Sequence, residues 1–386
     1  MENMVVMTDP LSTFRRARFL LIGALVAVGS LLAGSGDVHA DVPRGVFSLV
    51  PNDGTPANDL VLANPDVTGI SIRYGWLGLE PTEGVFNWIF LDSEVARAAA
   101  AGKSVLLRIV TQAGKPQWVT DAVTNAGGLF FTFDNNGATT SIPVFWDPTY
   151  LAKKKAMIAA LGAHFANNPT VKIVSASFAN STSEDWSVPH TQDAVSQWLS
   201  LGYTSEKMLD AGKQIIDATM TAFPGAYVAL AINGNGHVNG LNLDPDADYL
   251  SRNAILTAHV SWPGRFIVQK NSVSATIPAA PGTGGNFEVL WNSRPNVAGQ
   301  MLFWCANDSS YRMNGGVPGD SATILHNAIN AGYSYGMEYL EIYQTDVLNI
   351  PAEITYAHDL FVNSPTPTPT PSATPPAAPT GFRVVP

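Results

Sequence analysis

Two places in the chain set carboxylates where chemistry could use them. Val171 to Trp186, VKIVSASFANSTSEDW, is a β-branched apolar run that stops in small polar residues, Glu184, Asp185 and Trp186. Such a run, bounded by turn chemistry, reads as a buried parallel strand delivering acids to the mouth of a pocket. The second place is Tyr339-Leu-Glu-Ile-Tyr-Gln-Thr-Asp346. If Leu340 and Ile342 face outward, strand alternation turns Tyr339, Glu341 and Tyr343 inward. An inward carboxylate is costly unless it is paired or functional. The same parity turns Ser71 and Arg73 inward on an earlier strand and Arg108 on the next, so two guanidiniums there need acidic partners. Two carboxylates facing one site suit general acid and base work, one donating a proton and the other attacking or activating water. The rival reading of Glu341 is a buried Arg–Glu network with no chemistry.

Positioning such groups takes a scaffold of alternating strands and helices. Strands are expected at Gly45–Val50, Gly69–Tyr74, Ser104–Val110, Val171–Phe178, Tyr227–Ile232, Phe266–Lys270, Met301–Cys305 and Tyr339–Tyr343. Helical segments lie between them, among them Leu91–Ala101, Tyr150–Ala166, Ser205–Phe223 and Ser321–Ala331. Eight such pairs over residues 41–363 predict one α/β domain, a (β/α)8 TIM barrel. The stretch Thr111–Pro148 is an insertion after the third strand with a hairpin, Leu129–Phe133 and Ser141–Phe145. Its Trp118 and Trp146 either wall the pocket or cap the core beneath the loop.

The 386 residues are 46% hydrophobic and 13% charged, enough to bury a large core and too apolar for a disordered chain. A formal net charge of -10 argues against nucleic acid as a partner, which needs a basic footprint. A neutral ligand is the better expectation. Arg15, Arg16 and Arg18 ahead of the apolar run Phe19–Ala33 and Val38-His39-Ala40 make residues 1–40 a secretory signal peptide. The protein is therefore expected to be secreted, periplasmic or at the cell surface, with no membrane insertion after cleavage. Residues 364–378 form a Pro/Thr-rich linker, and residues 379–386 resemble the start of a fibronectin III-like β-sandwich module, so further C-terminal modules are expected. The lone Cys305 excludes an intramolecular disulfide and reads as a small buried hydrophobe.

Ile70-Ser-Ile-Arg-Tyr-Gly-Trp-Leu-Gly-Leu-Glu-Pro-Thr-Glu-Gly-Val-Phe-Asn-Trp-Ile-Phe-Leu-Asp92, then Gly102-Lys-Ser-Val-Leu-Leu-Arg108, resembles the large retaining clan of (β/α)8 glycoside hydrolases. That clan includes bacterial β-galactosidases, endoglucanases and xylanases. The resemblance, carried by residues 69–110, implies a carbohydrate substrate. It also implies an acid/base glutamate after the fourth strand, directly behind an Asn, and a nucleophile glutamate ending the seventh. Here Asn180 and Glu184 are separated by Ser-Thr-Ser, and the seventh strand, Met301-Leu-Phe-Trp-Cys-Ala-Asn-Asp308, has no Glu. Glu184 is accordingly expected as general acid/base and Glu341 as second carboxylate, with Asp308 as the alternative and Arg73 and Arg108 as charge partners. The resemblance makes Glu80 and Glu83 structural, pinning their loop.

Trp76, Trp186, Trp304 and Tyr343 lie at or beyond strand ends and suit stacking on sugar rings. His190, His237 and Asn233 could bond hydroxyls. No His/Cys cluster has metal-ligand spacing, and no phosphate loop or Gly-x-Ser-x-Gly elbow occurs, so no metal or cofactor is expected. The reading is a hydrolase of O-glycosidic bonds in a neutral poly- or oligosaccharide. The alternative is a catalytically silent carbohydrate-binding barrel.

Overall fold

The structure, a computed structural model, describes residues 42–51, 54–111, 115–135, 137–177, 186, 188–189, 191–233, 248–306 and 310–364. The expectations for the leader, for residues 365–386 and for Asn180, Glu184, Asp185, His190, His237 and Asp308 lie outside them.

Eight parallel strands close on themselves. In chain order they are β1 (Gly45–Leu49), β2 (Val67–Gly75), β3 (Ser104–Val110), β6 (Val171–Ser175), β7 (Tyr227–Ala231), β8 (Phe266–Val273), β9 (Val297–Met301) and β10 (Tyr339–Tyr343). Closure comes from β1, which pairs with β2 on one side and β10 on the other. The missing numbers belong to the antiparallel hairpin of β4 (Phe130–Asn135) and β5 (Ala138–Pro143), inserted after β3. Its turn is tight because Gly137 takes φ +85° and its N–H donates to Asp134 Oδ1 at 2.9 Å.

Helices on the outside bury the outward-facing strand residues, such as Ile70, Ile72, Val105 and Leu107. Their starts are set by side chains that accept the otherwise orphaned first-turn amides. Asp147 caps Pro148–Phe165 through Tyr150 N–H at 2.8 Å, Thr204 caps Ser205–Ala222, and Asp320 caps Ser321–Ser334 through Thr323 N–H. The inside of the barrel begins with an apolar plug including Phe47, Leu106, Ile173, Ile267, Ala298 and Tyr339. Two residues further along β3, β8, β9 and β10 come Arg108, Gln269, Gln300 and Glu341, all buried. Period-two alternation thus stacks a polar layer directly over the apolar one.

The seventh strand differs from expectation. It runs Val297–Met301, ending where Met301–Cys305 was expected to begin. The apolar run Met301–Cys305 looked like a strand, but its residues leave the sheet and form an aromatic cluster at its exit. The true strand contains Gly299, where a Cβ would come within 2.6 Å of Met337 Sδ and 2.7 Å of Val273 Cγ2, so glycine is required for close packing. Trp118 packs edge-on against Trp76, and Trp146 packs against Trp198 and Tyr203, so each half-buried ring gives part of its surface to the core beneath the insertion. The buried Phe131 of the hairpin stacks on Trp198 at 3.8 Å.

Candidate active site

Glu341, at the middle of β10, is 0% exposed. Each of its oxygens takes two hydrogen bonds. Oε1 accepts from Arg108 Nη2 at 2.9 Å and Gln269 Nε2 at 2.7 Å; Oε2 accepts from Ser71 Oγ at 3.0 Å and Arg108 Nη1 at 3.4 Å. Arg108 also donates to Gln300 Oε1 at 3.2 Å, and Tyr339 donates its hydroxyl to Gln269 Oε1 at 2.8 Å. Burial, with the charge of Glu341, pushes the Tyr339 phenol well above its ordinary value, against the pull of Arg108. Side chains of five strands are thereby tied together around one carboxylate. A buried ion pair of this kind needs hydrogen bonds beyond the pair itself to offset its desolvation, and on the carboxylate both oxygens have two donors.

Glu341, expected as the second carboxylate or as part of a buried Arg–Glu network, is held among donors inside the barrel. An oxygen with no exposure and two donors has no free direction from which to reach a substrate. Arg73, expected as the second guanidinium partner, donates from Nε and Nη2 to the Val50 carbonyl at 3.1 and 3.0 Å.

Above this layer, at the C-terminal ends of β9 and β10, lies an aromatic platform. Trp304 stacks on Phe303 with centroids 3.6 Å apart and meets Tyr343 edge-on at 5.6 Å. The Arg312 guanidinium lies 4.1 Å from the Phe303 ring centroid. Trp304 and Tyr343 are half-buried. Burial pushes the Tyr343 phenol up, and Arg73, Arg312 and Arg108 pull it down while Glu341 adds to the rise.

The other aromatic expectations are placed differently. Trp76 is 0% exposed and donates Nε1–H to Glu80 Oε2 at 2.7 Å, so it offers no face for stacking. Glu80 in turn accepts from Gly84 N–H at 2.8 Å, and Glu83 pairs with Lys153, so both acids pin their loop. Trp186 is also buried and takes φ +64°, rare for a residue with a Cβ. Backbone outliers of this kind gather at functional sites, and this one follows Glu184 by two positions. Asn233, just beyond β7, accepts from Asn286 Nδ2 at 3.0 Å.

Sequence reasoning missed two groups. Gln269, inside the expected strand Phe266–Lys270, was legible by the alternation that placed Glu341, whereas Gln300 fell just ahead of the expected seventh strand and was not. Nor was Asp346. It lies in the short helix Gln344–Asn349, is 0% exposed, and accepts the N–H of Cys305 at 2.9 Å and of Ala306 at 2.7 Å. Burial raises its carboxyl to about 6 although both amides pull it down. Burial and the neighbouring Asp346 charge push the Cys305 thiol up to about 12, an inert buried thiol. Among the described residues no group of three or more His, Cys, Asp or Glu could hold a metal ion, and no helix is long and apolar enough to cross a membrane.

Residues 61–213 match the family model of glycoside hydrolase family 42, described as β-galactosidase. No curated protein matches the chain. Among solved structures, the catalytic domain of a β-amylase from Paenibacillus polymyxa aligns with a TM-score of 0.53 at 11% identity, covering 78% of this chain and 92% of that one. A β-galactosidase from the psychrophilic Marinomonas ef1 aligns at 0.50 and 12%, covering 78% of this chain and 53% of that one. A β-galactosidase from Rahnella sp. R3 aligns at 0.50 and 11%, over 84% and 57%. The chain thus spans little more than half the length of the β-galactosidases it resembles. The fold is the (β/α)8 barrel, and over residues 61–213 the sequence is similar to a glycoside hydrolase family.

Proposed function

We propose that the protein is an exported glycoside hydrolase that cleaves O-glycosidic bonds of a neutral poly- or oligosaccharide with two carboxylates, Glu184 being the general acid/base. The observation that carries this reading is the β-galactosidase family match over residues 61–213, which includes Glu184 beyond the exit of β6. Active sites of (β/α)8 enzymes are built at the C-terminal ends of the strands.

The leaving sugar oxygen needs a proton, and the anomeric carbon needs a nucleophile or an activated water. Glu184 supplies the proton in this reading. The burial and four hydrogen bonds of Glu341 suit an electrostatic role, a fixed charge beneath a developing oxocarbenium. The second reacting carboxylate is then assigned to Asp308, seven residues beyond the end of β9. Trp304 and Tyr343 offer apolar faces on which a sugar ring stacks.

Hydrolysis of a panel of nitrophenyl glycosides and polysaccharides by purified protein tests this. Glu184→Gln should lower turnover by roughly 10²–10⁴-fold, the usual contribution of a positioned acid/base, while sugar binding persists. Unchanged turnover in that variant removes Glu184 from the role. Wild-type protein that binds but cleaves nothing replaces the enzyme reading with the binding barrel.

A further inference from the structure

Four points hold the chain as it leaves β9. Leu302 N–H donates to the Val273 carbonyl at 2.8 Å, Phe303 N–H meets Met313 Sδ at 3.2 Å, and the N–H groups of Cys305 and Ala306 both donate to Asp346. Trp304 sits between these anchors, so its backbone, and with it the point from which its ring projects, is held on both sides. The anchors on its C-terminal side share one carboxylate, on the element that begins immediately after Tyr343.

We propose that Asp346 is a positioning residue: it locks the segment after β9 to the start of the helix after β10, and so holds Trp304 against Phe303 and Tyr343 as a platform for the sugar ring. Three observations lead to this. Asp346 is 0% exposed, although Asp is a residue type that burial penalises. Its acceptors are spent wholly on backbone amides of the segment in question, Oδ1 taking Cys305 and Ala306 and Oδ2 taking Cys305 again at 2.9 Å. The two rings that frame Trp304 belong to the two segments the carboxylate joins. Among the described residues Cys305 is the titratable group that faces Asp346, and its thiol stays protonated through the neutral range.

The sugar-binding part rests on the proposed hydrolase; the positioning part does not, and the experiment separates them. Protein labelled with 5-fluorotryptophan gives a fluorine resonance for Trp304, assigned by its loss in Trp304→Phe. Asp346→Ala should shift and broaden that resonance, and Asp346→Asn, which keeps the size and one acceptor, should shift it less. An unmoved Trp304 resonance in both variants overturns the proposal, and Asp346→Asn alone decides it if the alanine variant does not fold. With a nitrophenyl β-galactoside as probe, Asp346→Ala should raise KM about tenfold with kcat nearly kept, the size expected when a buried hydrogen-bonded anchor is lost. Combining it with Trp304→Ala should add nothing further, and additive effects on KM overturn the link to Trp304. Absence of all wild-type turnover counts against the hydrolase and leaves the fluorine result standing.

Discussion

Glu341, in the middle of β10, and Asp346, in the helix that follows it, are five residues apart, both fully buried carboxylates, and they are satisfied in opposite ways. Glu341 meets a guanidinium, an amide and a hydroxyl, all side-chain donors from other strands. Among the described residues Asp346 meets backbone amides only, and no cation pairs with it. A counter-charge offsets the desolvation of the first; neutral dipoles offset it only in part for the second, whose carboxyl rises to about 6. The comparison teaches that burial alone does not define what a carboxylate does. The donors decide.

The largest expected effect comes from removing the charge of Glu341. Glu341→Gln leaves Arg108 buried beside a neutral group and should cost about 3–5 kcal/mol of stability by chemical denaturation, the usual result of breaking a buried pair on one side. Replacing both partners with apolar residues, Arg108→Met with Glu341→Leu, should cost less than the single change, because no orphaned charge remains. A double variant as damaged as the single one would break the comparison by showing that shape, not charge, governs the layer.

Asp346 should show itself in the pH dependence of stability. Its folded value lies above that of a carboxyl in the unfolded chain, so the folded state binds more protons in the interval between them. Stability from this group therefore falls as pH rises from about 4 to about 6 and then levels, by about 3 kcal/mol for a shift of some two units. Asp346→Asn carries no such charge, so its stability relative to wild type should rise across that interval in denaturation series at pH 4, 5, 6 and 7. A constant difference would show that Asp346 is not perturbed by burial.

The smallest effect belongs to the surface. Glu83 and Lys153 form an ion pair with Glu83 55% exposed. Glu83→Ala should change stability by less than about 1 kcal/mol, and added salt should erase the difference.

Much of the scaffold was legible residue by residue. Val171–Ser175, Ser104–Val110 and Tyr339–Tyr343 are apolar runs on both faces of a parallel sheet, and the structure has a strand at each. Alternation placed Ser71, Arg108 and Glu341 on one side, and the three meet there. The seventh strand was displaced because its own residues, Ala298, Gly299 and Gln300, are small or polar, as tight packing outside and a polar layer inside demand. The apolar residues that follow it serve the aromatic platform instead. Trp76 looked like a stacking surface for the same reason: an aromatic at a strand end reads alike whether its ring faces ligand or a neighbouring tryptophan.

The sequence by itself determined the eightfold alternation and the inward parity of Arg108 and Glu341, because each is a local pattern with a fixed period. Only the tertiary structure decided what those charges meet. Closing the barrel brings β2, β3, β8 and β9 around Glu341, and a six-residue helix after β10 carries Asp346 to the amides of a segment forty residues earlier in the chain. Contacts between residues so far apart follow from closure and packing, which no local period records.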